Sequence, residues 1–452
     1  MFKTLKNAWR IPELKKKLLF TLLIIVLYRL GANIPVPFVN PEAIKSSTDI
    51  FGGTILQYLN ILSGEALSKA TLLALGVSPY ITASIVMQLL TIAIPSLERL
   101  SKDGENGRKK ITAITRVVTV ALALVTSIGY AIFLANTENE LGQPMLLVAD
   151  PTFFQYAIIV ACYCAGAALV MWLAEKINDH GIGNGISMIL FANIIAGFYS
   201  MAQSILALAN NISLKANLGN IWGVVVGIAL AVFEALLILG IIVLIVRMND
   251  AERRIPIQYA KRVVGRKMYG GQNTNLPIKV NMSGVMPIIF ANSIVSIPTT
   301  IVGFMKHENW FKSFVEKYFN YNDWSYVVVF LILLIAFAYF YVAISFNPVE
   351  VANNIKSNGG AIPGIRSGRP TVEFIKKVLN RITLVGALLV AVIAVFPLIV
   401  NIVTGYFAAT AGLFTALAFS GSSMMIVVGV ALETVRELEA QMSLRNYKGF
   451  LD

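Results

Sequence analysis

A chain of 452 residues in which 57 % are hydrophobic, 13 % are charged and the mean hydropathy is +0.72 carries more apolar surface than one water-soluble interior takes up. A soluble enzyme or binding module is thereby excluded, and the expectation is an all-α polytopic membrane protein with lipid as its solvent. The net charge of +13 needs no nucleic acid to explain it, because basic loops on one side of a membrane account for it; no DNA partner is expected.

At the N-terminus Phe2, Leu5 and Trp9 fall on one helical face and Lys3, Lys6 and Arg10 mostly on others. That is the pattern of a helix lying in the membrane interface, with a frayed basic tail as the alternative. The first apolar run, Leu18 to Gly31, ends in Arg29-Leu30-Gly31 without a small-x-small cleavage site, so it is expected to stay as a span. Windows long enough to cross about 30 Å of hydrocarbon follow at Thr71 to Pro95, Ala113 to Ala135, Phe153 to Ala174 and Gly183 to Ser200. Beyond the Leu214 to Asn220 loop come Ile221 to Val246, Ser283 to Gly303, Tyr326 to Phe346, Ile382 to Val400 and Ser420 to Leu438. Between the first two spans, Phe51 to Gly64 reads as a helical piece too short to cross, hinged at Gly52, Gly53 and Gly64. It either packs into the mouth of a channel or lies re-entrant at the interface. Val403 to Phe419, apolar but rich in Gly, Ala and Thr, is read as a partly buried outer connection, which keeps the spans at ten. Cys162 and Cys164, two apart within span four, have neither a zinc spacing nor the pattern of a disulfide framework and are packing residues.

Of the 37 Lys and Arg, 29 fall on one side of these spans, six on the other (Lys45, Lys69, Lys215, Lys306, Lys312 and Lys317) and two, Arg29 and Arg116, within spans. Basic residues gather on the cytoplasmic side of bacterial membranes. Both termini are therefore expected in the cytosol, with two large basic loops at about 247–280 and 347–381. Ten spans divide into two halves of five, residues 1–214 and 215–452, and an odd number per half inverts one half against the other. The second spans of the halves share letters: Pro79-Tyr80-Ile81-Thr82-Ala83-Ser84-Ile85 against Pro287-Ile288-Ile289-Phe290-Ala291-Asn292-Ser293-Ile294. Proline removes a helical hydrogen bond and crowds the preceding turn, so both helices are expected to be interrupted and to line a cavity.

Enzymatic signatures are missing: there is no Walker A pattern, no His-Glu-x-x-His, no Gly-x-Ser-x-Gly, and only two histidines, His180 and His307, both in predicted loops. No catalysis, metal or cofactor is expected. Arg29 and Arg116 lie near helix ends where they can snorkel, which leaves Glu234 in span six as the one acidic group well inside hydrocarbon. Glu234, the inverted repeat and the interrupted helices keep open a rival reading, an ion-coupled secondary transporter of a small solute. Gln88 in span two and Asn281 at the start of span seven are polar groups able to hydrogen-bond across a helix interface, for about 1 kcal/mol.

Several motifs in order carry a family resemblance. They are Leu75-Gly76-Val77-Ser78-Pro79-Tyr80-Ile81, Gly181-Ile182-Gly183-Asn184-Gly185-Ile186-Ser187, Lys279-Val280-Asn281-Met282-Ser283-Gly284-Val285-Met286-Pro287 and Pro363-Gly364-Ile365-Arg366-Ser367-Gly368-Arg369-Pro370. Along essentially its whole length the chain resembles the SecY family, the channel subunits of bacterial Sec preprotein translocases.

The resemblance implies a central pore between the two five-helix halves, residence in the bacterial cytoplasmic membrane, and passage of unfolded polypeptides bearing signal sequences. By position, the constriction of that pore is Ile81 and Ile85 from span two, Ile186 and Leu190 from span five, Ile289 from span seven and Ile426 from span ten. Leu190 stands where relatives carry isoleucine, a volume-conserving change. The plug helix is Thr54, Ile55, Leu56, Gln57, Tyr58, Leu59, Asn60, Ile61, Leu62 and Ser63. Spans two and seven are the two sides of a lateral gate opening to membrane lipid, with Gln88 and Asn281 as its polar latch. The implied partners are the subunits SecE and SecG, the SecA ATPase and the ribosome, because nothing in the chain supplies directional force. Arg253, Arg254 and Arg366 are the implied docking residues.

Overall fold

The computed structural model describes residues 2–40, 60, 62–136, 144–147, 152–208, 220–259, 262–264, 267–269, 273–303, 305, 309–320, 323–406 and 420–448. In chain order it begins with α1 (Phe2–Arg10), α2 (Pro12–Gly31), α3 (Ser78–Ala93), α4 (Pro95–Lys102), α5 (Gly104–Asn136), α6 (Phe153–His180), α7 (Gly185–Leu208) and α8 (Asn220–Asp250). Four strands follow, β1 (Glu252–Tyr259), β2 (Arg262–Val264), β3 (Lys267–Tyr269) and β4 (Asn273–Lys279). The chain continues with α9 (Met286–Gly303), α10 (Trp310–Tyr318), α11 (Trp324–Ser345), α12 (Pro348–Ser357), β5 (Gly360–Ala361), α13 (Arg369–Tyr406) and α14 (Ser420–Lys448).

Lipid offers no partner for a backbone amide, so apolar runs must fold as helices that satisfy themselves. One helix lies at each of the ten expected spans: α2, α3, α5, α6, α7, α8, α9, α11, α13 and α14. Among the described residues six are individually long and apolar enough to cross, and α3 with α4 makes a seventh that bends by 102°. The bend falls at Ile94, just before Pro95, which cannot continue the preceding helix. Outward faces are apolar: Leu22, Leu23 and Leu30 on α2, Val232 and Leu236 on α8, Val328 and Ile332 on α11 are all exposed. A water-soluble protein does not present such continuous apolar faces; the chain is a multi-pass membrane protein. Of the apolar connection 403–419, residues 407–419 lie outside the described residues, while α13 already runs on to Tyr406.

The two prolines of the repeat do not break their helices from within. Pro79 and Pro287 are each the second residue of α3 and α9, where the missing amide has no intrahelical acceptor in any case. The expected loss of a hydrogen bond at these sites is thus corrected: the interruption is a non-helical turn ahead of the proline. In both halves this turn is Gly-Val-x-Pro, with Gly76 at φ +54° and Gly284 at φ +61°. A left-handed residue three positions before the proline suits glycine, and the two spans share this Gly-Val-x-Pro turn.

The cytosol-type loops carry structure that hydropathy did not foresee. β1 and β4 pair antiparallel from Glu252 opposite Lys279 to Gln258 opposite Asn273, and β5 from the second loop adds to the free edge of β1, giving the order β4-β1-β5. Ile255 and Ile257 alternate inward against Ile278, Ile355, Ile362, Ile375 and Leu379, the period of two that a half-buried strand requires. Asn347 caps α12 by accepting from the amides of Val349 and Glu350. At the N-terminus α1 is helical but does not lie alone in the interface: Ala8 packs with Leu14, Ile182 and Leu438, and Thr4 Oγ1 donates to Glu439 at 2.9 Å. Leu5 and Trp9 stay exposed.

Candidate functional site

One large apolar cluster joins the helices of the two halves, and the six residues singled out for a constriction belong to it or pack on it. Ile81, Ile85, Leu190, Ile289 and Ile426 are at most 6 % exposed within the cluster, and Ile186, partly buried, packs against it. Ile81 with Ile85, and Ile186 with Leu190, are spaced i, i+4 and share a helical face. The start of α7 is set by its own sequence. Asn184 Oδ1 accepts from the amides of Ile186 (3.0 Å) and Ser187 (3.4 Å), and Asn178 Oδ1 from that of Gly185 (2.7 Å). A Cβ on Gly185 would lie 1.9 Å from the carbonyl oxygen of Ala174, so only glycine lets α7 seat against α6. Glycine and Asn thus place the Ile186–Leu190 face; they are scaffold for the apolar pair.

Helices α3 and α9 meet beside this cluster. Between them and α5 lies a crevice of ≈ 300 Å³ whose lining includes Leu75, Thr82, Val125, Ile297 and Ile301. Its walls are almost wholly apolar, so they favour a hydrocarbon over a hydrated occupant. The two residues expected as a latch are not joined. Gln88 is partly buried on α3. Asn281 is buried and donates to Asn249 Oδ1 (2.8 Å) and to the Gly284 carbonyl (3.2 Å), while Ser283 Oγ donates to Asn281 Oδ1 (3.3 Å). Arg436 on α14 completes this node by donating to the Asn249 carbonyl and to Asp250 Oδ1, both at 2.8 Å. Asn249 and Arg436 escaped the sequence reading because nothing in their spacing ties the ends of α8 and α14 together. Burial, with Arg436 nearby, pulls the Lys279 ammonium below the usual lysine range.

The two cations expected to snorkel both find partners within the protein, Arg116 while staying half exposed and Arg29 partly buried. Arg116 Nε donates to Glu175 Oε1 at 2.8 Å, joining α5 to α6. Arg29 donates to the carbonyl oxygens of Gly64, Ala192 and Asn193. Gly64 belongs to the interrupted backbone ahead of α3, while Ala192 and Asn193 lie within α7; at this depth their carbonyls give the Arg29 guanidinium partners that hydrocarbon does not. Glu234 is fully buried on α8.

Of the segment expected as a plug, Asn60, Leu62 and Ser63 are helical, and Leu62 and Ser63 are buried; Thr54, Ile55, Leu56, Gln57, Tyr58, Leu59 and Ile61 lie outside the described residues. On the opposite side, Arg253 and Arg254 are exposed at the start of β1, and Arg366 is exposed in the turn after β5. The β4-β1-β5 sheet therefore gathers the three arginines on one unit. Arg254 is engaged locally, its Nε donating to Glu252 Oε1 at 2.7 Å.

The sequence profile of the SecY family matches residues 71–435. A protein translocase subunit SecY from Streptomyces galbus is 42 % identical over 460 residues, covering 100 % of both chains. Among solved structures, one described by the plug domain of SecY stabilising the closed state of the translocation channel aligns with a TM-score of 0.57 at 20 % identity, covering 95 % of this chain and 96 % of that one. Sec61 in the canine ribosome-channel complex from the endoplasmic reticulum aligns at 0.54 and 15 % identity, with 95 % and 96 % covered.

Proposed function

The chain belongs to the SecY family, and from that premise we propose that it is a passive protein-conducting channel: it passes unfolded secretory polypeptides across the membrane and releases transmembrane segments sideways into lipid. The observation that carries this reading is full-length identity of 42 % to a translocase subunit; it is supported by a large apolar cluster that contains five of the six constriction residues, with Ile186 packed against it. A small-solute transporter has no comparable support.

Physically, a narrow aliphatic constriction dewets and offers an ion no hydration, yet its side chains yield around any polypeptide. Ile81, Ile85, Ile186, Leu190, Ile289 and Ile426 form that constriction, and residues Thr54 to Ser63 seal it from outside. Helices α3 and α9 part to form the lateral gate. A segment leaves through it when lipid is its better solvent, gaining about half a kcal/mol per Leu or Phe, while each central charge opposes exit by about 3 kcal/mol. Gln88 on α3 and the Asn281 node at the foot of α9 bias that gate. The sheet bearing Arg253, Arg254 and Arg366 is the docking surface for a ribosome or for the SecA ATPase, which supply the direction. SecE and SecG complete the channel in the bacterial cytoplasmic membrane, with both termini in the cytosol. The fold likeness to a channel held in a ribosome complex fits this assignment.

The test is export of a secretory precursor into proteoliposomes by the parent and by Glu234→Gln. A channel exports equally well in both. Saturable solute uptake abolished by Glu234→Gln, with no precursor export by either form, would return the transporter reading.

A further inference from the structure

At the end of α9 opposite the β4-β1-β5 sheet, the chain forms the short helix α10 before it turns back into α11. This helix packs against both neighbours, and Ser325 Oγ at the start of α11 donates to the Lys317 carbonyl at 3.1 Å. Its apolar residues make two adjacent rows, each at the i, i+4, i+8 spacing of one helical face. Phe311, Val315 and Phe319 form the inner row: Val315 is buried, and Phe319, just past the helix end, packs on the central cluster. Trp310, Phe314 and Tyr318 form the other row, a ladder of rings with centroids 5.8 Å and 5.0 Å apart. These rings have no such cover, being 81 %, 42 % and 41 % exposed. Lys317 Nζ lies over the Tyr318 ring, 5.7 Å from its centroid. The neighbouring helices are exposed and apolar at the same end, through Ile297 and Ile301 on α9 and Trp324 and Val328 on α11.

We propose that α10 is an interfacial helix whose Trp310-Phe314-Tyr318 face inserts into lipid at the membrane boundary and anchors the end of α9 there. The need for an anchor follows from length. With 18 residues α9 rises about 27 Å at about 1.5 Å per residue, just short of about 30 Å of hydrocarbon, and a short span is held by groups that flank it at the interface. The choice of lipid as the occupant follows from continuity, because the ladder adjoins the lipid-facing residues of α9 and α11. It also follows from chemistry. Tryptophan and tyrosine prefer the headgroup level, where an apolar ring and a polar tip are both satisfied. Ser313 and Lys317, exposed along the other edge of the ladder, keep that edge at the water, as in helices that lie in the interface.

The experiment uses the full chain carrying Cys162→Ser and Cys164→Ser, reconstituted in vesicles of phosphatidylethanolamine and phosphatidylglycerol, with a nitroxide label attached in turn at Phe314→Cys, Ser313→Cys and Ile332→Cys. Collisions of the label with oxygen, which concentrates in lipid, are compared with collisions with a water-soluble nickel chelate. Ile332, exposed on α11, is the lipid reference, and a melting transition like the parent's shows that each labelled protein is folded. The label at position 314 should share the oxygen preference of position 332, and the label at position 313 should prefer nickel, so that the preference reverses between adjacent residues. Adding Trp310→Ser and Tyr318→Ser to the protein labelled at position 314 should shift that label toward nickel. Nickel preference at position 314 would place the ladder in water and overturn the proposal. A label there that neither reagent reaches would be covered by protein, a second copy of the chain included, and would overturn it as well. An oxygen preference at position 314 that survives Trp310→Ser with Tyr318→Ser would show that the neighbouring helices, and not the ladder, hold α10 in place, and the anchor would be refuted.

Discussion

Replacing Leu190 by Asn keeps the side chain near its original size and changes its affinity for water, at a position 1 % exposed within the central cluster. Burying a leucine side chain is worth about 1.5–3 kcal/mol, all of it forfeited. An amide held there without partners costs about 1–3 kcal/mol more. The dry, closed constriction is therefore destabilised by about 2.5–6 kcal/mol against a state in which water enters and satisfies the amide. At about 1.4 kcal/mol per tenfold, the hydrated population grows by about sixtyfold at the low end of that range. Resting ion flux in proteoliposomes should rise accordingly, while Leu190→Ile, a volume-conserving change, should leave it at the parent level. A folded, correctly inserted Leu190→Asn protein that leaks no more than the parent would refute the reasoning, because Leu190 would then face no pathway.

Three further outcomes are expected. Arg366→Glu should impair precursor export without reducing the amount of the protein in the membrane, since Arg366 is exposed and packs no core; unimpaired export would remove Arg366 from the docking surface. Arg116→Leu should lower detergent stability by about 1–2 kcal/mol, less than for a fully buried pair because Arg116 is half exposed. Arg116→Leu combined with Glu175→Gln should recover part of that loss, read as a melting shift in a double-mutant cycle. Asn281→Leu removes the bonds to Asn249 and Gly284. It should loosen the foot of α9 enough to raise crosslinking of α3 to a stalled apolar segment, and an unchanged crosslinking yield would separate this node from the gate.

Hydropathy was enough to find the apolar runs, because lipid leaves such a run no other fold, and among the described residues a helix lies at each of the ten expected spans. The proline repeat was legible in Pro79 and Pro287, yet the turn that interrupts both spans depends on Gly76 and Gly284, three residues upstream. Reading proline as the breaker hid that glycine, with its left-handed backbone, does the turning. The Ile255-x-Ile257 alternation in β1 was visible as a period of two, but it was overshadowed by the charge of the surrounding loop. The partners of Arg29 and Arg116 were hidden for a different reason. Depth along a helix can be counted from sequence, whereas the carbonyls of Gly64, Ala192 and Asn193 and the carboxylate of Glu175 reach them only through packing. The same holds for Asn281, whose partner Asn249 lies on another helix.

The most direct test of a polypeptide pathway through the aliphatic constriction places a photocrosslinking residue at Leu190, and separately at Ile332 on the lipid-facing side of α11, with a secretory chain stalled halfway through export. The account predicts crosslinks to the stalled chain from position 190 and none from position 332. Silence at position 190 in a folded, correctly inserted protein would contradict it.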